Sequence, residues 1–245
     1  MSYFKTTIEA GATIEVHKSF TKRTGIKTRG NKDKPTPEEM EKINQLNAER
    51  NLRIKINANF GVDDLWITLT YRKEERPTPE VAKKKMKKFV DDLRNEYKKV
   101  GESLKYIHTT EYKNTAIHHH ILLNHLEGVN VPKFVRKLWE FGRPQFKQLD
   151  DTGQYKDLAA YIIKETSKSY KEKDGGHMQR YSCSRNLIMP PPKTVIIKKA
   201  TRWAADPRPK KGYYIDQDTI YNGVDPFTGR EYQRYTMIRL SGNSG

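Results

Sequence analysis

Cysteine is almost missing: Cys183 stands alone among 245 residues. That excludes an internal disulfide and a cysteine-rich zinc site, and a lone thiol fits a reducing compartment. Long apolar runs are missing too. None approaches the ~20 residues that cross a bilayer, and the stretch MSYFKTTIEAG has no apolar signal-peptide core. Neither a membrane span nor a leader is therefore expected. The string GxxxxGK[ST] is absent, which excludes a fused P-loop motor. Acidic charge is scarce: 30 Asp+Glu stand against 47 Lys+Arg, a formal net charge of +17. Such an excess suits a polyanion, because neutralised phosphates release their counterions. A generally charged surface and an anionic membrane surface are the competing explanations. Fourteen Tyr and three Trp supply faces on which bases stack.

What is present reads as one core domain with extensions. Residues 3–20 look strand-like, and 21–36 form a basic, glycine-containing loop. Thr36-Pro37-Glu38 starts a helix to about Arg50 by capping logic. Leu52, Ile54 and Ile56 alternate as in a strand. The segment LWITLTY (65–71) is the clearest strand, with Leu65, Ile67 and Leu69 on one face and Trp66, Thr68 and Thr70 on the other. Thr78-Pro79-Glu80 starts a long helix whose Met86, Phe89, Leu93 and Tyr97 recur at helical spacing. Its lysines are either a solvated face or a DNA contact. Residues 105–124 read as two strands around the polar turn Lys113-Asn114-Thr115. A helix (132–139), a strand (143–149), a helix (154–168), a polar loop (171–176) and a strand (180–188) follow. Met189-Pro190-Pro191-Pro192 marks a boundary, and strands are expected at 194–197 and 234–240, with a turn at 225–229. The expected fold is α+β: a central antiparallel sheet with helices packed on one face, in a split βαβ order. The expected division is an extension (1–60), a core domain (61–189) and a basic, Tyr-rich extension (190–245).

Chemistry concentrates at His118-His119-His120. Strand parity puts His118 and His120 on one face and His119 on the other, toward the helices. Two imidazoles on a rigid strand can grip a metal, and Glu111 on the partner strand adds an oxygen donor that permits Mg²⁺ or Mn²⁺. A cluster that only stacks and hydrogen-bonds is the plainer alternative. His108 lies at odd spacing from Glu111 and so points the other way. In the helix 154–168, Tyr161 borders the apolar stripe and Lys164 follows one turn later. A phenol needs a neighbouring cation or a polarised electrophile to attack. A core aromatic on an amphipathic helix is the competing reading for Tyr161.

Together these segments resemble the HUH endonucleases, specifically rolling-circle replication initiator (Rep) proteins of the single-tyrosine type. IHHHILL (117–123) resembles their histidine motif, LWITLTY their first motif, Thr110-Glu111-Tyr112 their acidic position, and AYIIK (160–164) their nucleophile helix. The middle position, usually apolar, is His119, and Tyr155 sits six residues before Tyr161, unlike the spacing of two-tyrosine members. The resemblance implies an RRM-like HUH nuclease fold and metal-dependent nicking and joining of single-stranded DNA. Tyr161 would be the nucleophile, forming a 5′-phosphotyrosine, with Lys164 assisting. Glu111, His118 and His120 would hold Mg²⁺ or Mn²⁺, and Trp66, Thr68 and Thr70 would contact DNA. The implied partners are single-stranded or hairpin origin DNA, a host helicase and a host polymerase, for a phage or plasmid replicon in bacterial cytoplasm. A transposase or relaxase with the same chemistry is an alternative. So is a non-catalytic module that binds single-stranded nucleic acid.

Overall fold

The computed structural model describes residues 2–20, 36–113, 116–171, 181–198, 202–225 and 228–240. The elements begin with β1 (Tyr3–Ala10), β2 (Thr13–Phe20), α1 (Pro37–Asn59), β3 (Leu65–Leu69), α2 (Pro79–Lys99), β4 (Tyr106–Lys113) and β5 (Ala116–Leu123). They continue with α3 (Val131–Leu138), β6 (Gln145–Gln148), α4 (Lys156–Lys171), β7 (Ser182–Cys183), β8 (Lys193–Ile197), β9 (Tyr213–Val224) and β10 (Glu231–Arg239). The chain divides into two compact units. One comprises Asn59–Asp151 and Asp157–Leu187; the other comprises Met1–Ala58, Thr152–Lys156 and Ile188–Gly245. Each has its own antiparallel sheet, so the fold is α+β. Among the described residues, no helix is long and apolar enough to cross a membrane.

The first of these units is built on the sheet β6-β3-β5-β4-β7. Alternation along β3 and β5 puts Leu65, Ile67, Leu69, Ile117, Ile121 and Leu123 on one face. Met86, Phe89 and Leu93 of α2, and Val131, Val135 and Trp139 in and after α3, bury that face. Each such side chain contributes about 1.5–3 kcal/mol when fully removed from water. Helix α2 starts as expected: Pro79 occupies its first turn and Thr78 Oγ1 accepts from the Val81 N–H at 3.4 Å. Lys83, Lys84, Lys87 and Lys88 lie exposed. Asp64 secures the entry to β3, its carboxylate accepting from the N–H groups of Gly61 (2.8 Å) and His125 (2.6 Å). The opposite sheet face carries Trp66, Thr68 and Thr70 of β3, His118, His120 and Leu122 of β5, and Ile107, Thr109 and Glu111 of β4.

The second unit is built on the sheet β8-β1-β2-β10-β9. Ile14, Val16, Ile215, Tyr235 and Met237 form an apolar cluster in it. Helix α1 docks through Ile54 on Ile8 and Ala10. Gly11 turns the β1–β2 hairpin at φ +57°, and a Cβ there would run into the Asn57 carbonyl. Buried Glu15 receives Arg53 Nη2 at 2.7 Å and Arg50 Nε at 3.5 Å.

Three expectations about local structure differ from the result. Residues 52–56 are helical, within α1. Leu52 and Ile56 lie one turn apart on one side and Ile54 on the other, all fully buried, so burial on two sides of a helix mimics strand alternation. The strand expected at 180–188 shrinks to β7. Side chains take over from the ladder: Ser184 Oγ accepts from the Tyr106 N–H at 3.1 Å, and Asn186 donates to the Leu104 carbonyl at 3.2 Å. Strand β9 runs against expectation, because Asp216, Asp218, Asn222 and Gly223 disfavour strands. Residues 21–35, 114–115, 172–176 and 226–227, on which loops and turns are expected, lie outside the described residues.

Candidate active site

Pairing between β4 and β5 sets Glu111 directly opposite His118 and Thr109 opposite His120. Pairing between β3 and β5 sets Thr68 opposite His120. Three strands thus deliver side chains to one patch of one face. His120 sits at its centre, 5 % exposed. Its Nε2 lies 3.2 Å from Glu111 Oε2, and its Nδ1 lies 3.1 Å from Thr68 Oγ1. An ionised carboxylate only accepts, so Nε2 carries the proton toward Glu111 and Nδ1 accepts from the Thr68 hydroxyl. The Trp66 ring stacks on the imidazole, 5.4 Å between centroids and 3° from parallel.

Helix α4 brings Tyr161 to the same patch. Ala159, Ile162 and Ile163 are buried, while Tyr161 is 38 % exposed. Its hydroxyl lies 3.3 Å from His120 Nε2 and donates to Glu111 Oε2 at 3.5 Å. Its ring meets those of His120 and Trp66 edge-on, at 5.5 and 6.3 Å. Burial, then the charges of Glu111 and Glu165, push the phenol up to about 12. The group is therefore protonated near neutral pH and needs positive charge nearby to become a nucleophile. Burial lowers His120, with the Glu111 carboxylate working against that shift.

The structure thus brings Glu111, His120, Tyr161, Trp66 and Thr68 into mutual contact. His118 is half-buried across from Glu111. Among the described residues, no group of three or more His, Cys, Asp or Glu side chains stands ready to hold a metal ion. Thr70 donates to the Arg143 carbonyl at 3.3 Å, and Lys164 is exposed on α4. Glu165 is a residue that sequence reasoning missed. It follows Tyr161 at i+4, the spacing that places two helical side chains together, and its charge reaches both Tyr161 and His120.

Behind the patch, His119 is fully buried. Its Nε2 meets Tyr71 Oη at 2.9 Å and its Nδ1 meets Thr110 Oγ1 at 2.9 Å. Thr110 Oγ1 in turn lies 3.2 Å from His108 Nε2. Trp139 packs edge-on against His119 at 5.7 Å. Burial, and then the neighbouring imidazoles, hold His119 well below the usual histidine value. Burial and the charge of His120 lower His108 to about 4.

Residues 64–169 match the model of a family described as replication-associated protein of the ORF2 kind. The matched span contains Trp66, Thr68, Thr70, Glu111, His118, His120, Tyr161 and Lys164. The part of the chain that assembles the patch is thus similar to replication-associated proteins. Neither a curated protein nor a solved structure matches the chain.

Proposed function

We propose that this protein initiates DNA replication by nicking and rejoining single-stranded DNA, with Tyr161 as the nucleophile. One observation carries the reading. A tyrosine hydroxyl from α4 lies 3.3 Å from His120 Nε2 and 3.5 Å from Glu111 Oε2, groups 41 and 50 residues away along the chain. Convergence of a phenol, an imidazole and a carboxylate on an open sheet face suits phosphoryl transfer, and the similarity of 64–169 to replication-associated proteins supports it.

The donors suit a divalent cation. Glu111 and His120 already point at one another at 3.2 Å, and His118 is the cross-strand neighbour of Glu111 on the same face. These three would hold Mg²⁺ or Mn²⁺, which when bound supplies positive charge to the scissile phosphate. Thr68 serves either state of His120, since its hydroxyl donates to Nδ1 or accepts from it. Trp66 keeps the imidazole plane fixed by stacking.

In the nicking step Tyr161 Oη bonds to phosphorus as the bond to the 3′ oxygen breaks. The phenol gives up its proton, and the departing oxygen takes one up as a 3′-OH. Lys164, exposed one turn beyond Tyr161, meets the phosphate charge. A 5′-phosphotyrosine remains, and a later 3′-OH reverses the reaction. The freed 3′-OH is a primer, so a host polymerase and helicase in bacterial cytoplasm are the partners this chemistry needs.

The test uses a labelled single-stranded library of random sequence with Mn²⁺. A covalent adduct should form, disappear on adding chelator, and be absent from Tyr161→Phe. An adduct in the phenylalanine variant, or no metal-dependent cleavage anywhere in the library, would refute the assignment.

A further inference from the structure

The β8-β1-β2-β10-β9 sheet has a face that the patch above does not use. Pairing aligns Ile196, Phe4, Ser19 and Tyr232 in one row across it, and Thr194, Thr6, His17, Arg234 and Tyr221 in the next. Further along the same face α1 covers the sheet, with Ile54 on Ile8 and Arg53 on Glu15. The uncovered end is a cleft of about 670 Å³ whose walls include Phe4, His17, Ile196, Arg230 and Tyr232. That volume falls within the ~300–1,000 Å³ of small-ligand sites.

The chemistry of this face is specific. The Tyr232 ring lies 5.6 Å from that of Tyr221 and 5.8 Å from that of His17. The Arg234 guanidinium sits over Tyr232, 5.0 Å from its centroid, and its Nε is buried with no hydrogen-bond partner. Tyr221 is 56 % exposed. Asp225 and Glu231 also line the cleft. Asp225 Oδ1 already accepts from the N–H and the hydroxyl of Thr228, at 2.8 and 2.9 Å, so its carboxylate is engaged within its own turn. Aromatic rings at adjoining positions of a sheet, with guanidiniums beside them, match what single strands need: surfaces for unpaired bases and cations for phosphates. A duplex keeps its bases stacked on each other and cannot use such rings. The chain's net charge of +17 adds attraction for a polyanion.

We propose that this face is a second binding site for single-stranded DNA, with bases stacking on Phe4, Tyr232 and Tyr221 and phosphates meeting Arg230 and Arg234. The site rests on the reading that the chain handles single strands, but not on the nicking chemistry. It would hold a strand apart from the bond being cut.

The test uses the full chain carrying Tyr161→Phe, in chelator, so that no strand is cut. Titration with a fluorescein-labelled oligothymidylate, followed by anisotropy, should show binding weakened about tenfold or more by Tyr232→Ala. Tyr232→Phe keeps the ring and should bind as the parent does. An oligonucleotide carrying 5-iodouracil should photocrosslink to Phe4, Tyr221 or Tyr232. Unchanged binding by Tyr232→Ala, crosslinks confined to Trp66 and Tyr161, or equal competition by duplex DNA would each overturn the proposal. Tyr232-dependent binding without any adduct from the chain with Tyr161 intact would sink the nicking assignment alone. Adduct formation with Tyr232-independent binding would sink this one alone.

Discussion

Removing a single oxygen behind the candidate site should loosen it. In Tyr71→Phe the hydroxyl 2.9 Å from His119 Nε2 is lost. His119 is 0 % exposed, so no bulk water replaces the partner. An unsatisfied buried polar atom costs roughly 1–3 kcal/mol, and relief from burying the hydroxyl offsets part of that. The net destabilisation should be about 1–2 kcal/mol, a factor of roughly 5–30 in the unfolding equilibrium at 25 °C. Urea unfolding followed by near-UV circular dichroism should report it, because Tyr71 lies among Trp139, Phe141 and His119. The midpoint should fall with no change in slope. Combining Tyr71→Phe with His119→Leu should cost less than the sum of the single changes, since the orphaned nitrogen is gone; coupling of about 0.5–3 kcal/mol is expected. His119 holds β5 from behind, so Tyr71→Phe should also lower adduct yield although it touches none of the reacting groups. A Tyr71→Phe protein with an unaltered midpoint, or strictly additive single effects, would show that the buried bond does not anchor the strand.

Acid should act through the same residues. His108 and His119 have lowered values in the folded chain, so above the ordinary histidine value of ~6.5 neither state is charged and stability is unaffected. As pH falls from ~6.5 toward ~4 the unfolded chain takes up protons that the folded chain refuses, and stability is lost. His108, held at about 4, accounts for up to about 3 kcal/mol of that loss before solvent screening; thermal melts flat between about pH 7 and 4.5 would contradict it. Arg53→Met removes the 2.7 Å partner of buried Glu15 and leaves Arg50 at 3.5 Å, so the unit built on β1 and β2 should lose about 3 kcal/mol. Partial recovery on adding Glu15→Gln is expected in the same urea titration. Thr68→Val deprives His120 Nδ1 of its partner, and calorimetric titration with Mn²⁺ should show affinity about tenfold weaker or worse; unaltered affinity would remove Thr68 from the metal's surroundings.

Much of the patch was legible because strand parity is a strict rule. Spacing alone assigned Trp66, Thr68, His118 and His120 to one face and His119 to the other, and the pairing of β3, β4 and β5 follows it. Parity does not say what a side chain meets across the sheet. Thr68 and Trp66 were expected to await DNA, yet their contacts are with the His120 ring, because β3 and β5 are neighbours. Tyr71 and Glu165 went unnoticed for a related reason: each matters only through a partner many residues distant. In the fold, the misread stretch was 52–56, where a five-residue alternation fits either period. Strand β9 was hidden by polar residues, whose placement in a ladder is decided by the strand beside them, β10.

The pairing of β2 with β10 has a consequence for biosynthesis. Strand β2 ends at Phe20 and its neighbour β10 begins at Glu231, so roughly 210 residues separate them. At ~5–20 residues per second a ribosome needs on the order of 10–40 s to cover that distance. All of β3 to β7 emerges in the interval, whereas the sheet begun by β1 and β2 awaits its last three strands. The β1–β2 hairpin therefore passes this time with both edges open, a state that invites pairing with another nascent chain. Lys5 on β1 and Lys18 on β2 are the kind of residue that discourages such an encounter, so the order of translation gives these lysines a task that ends once the chain is released.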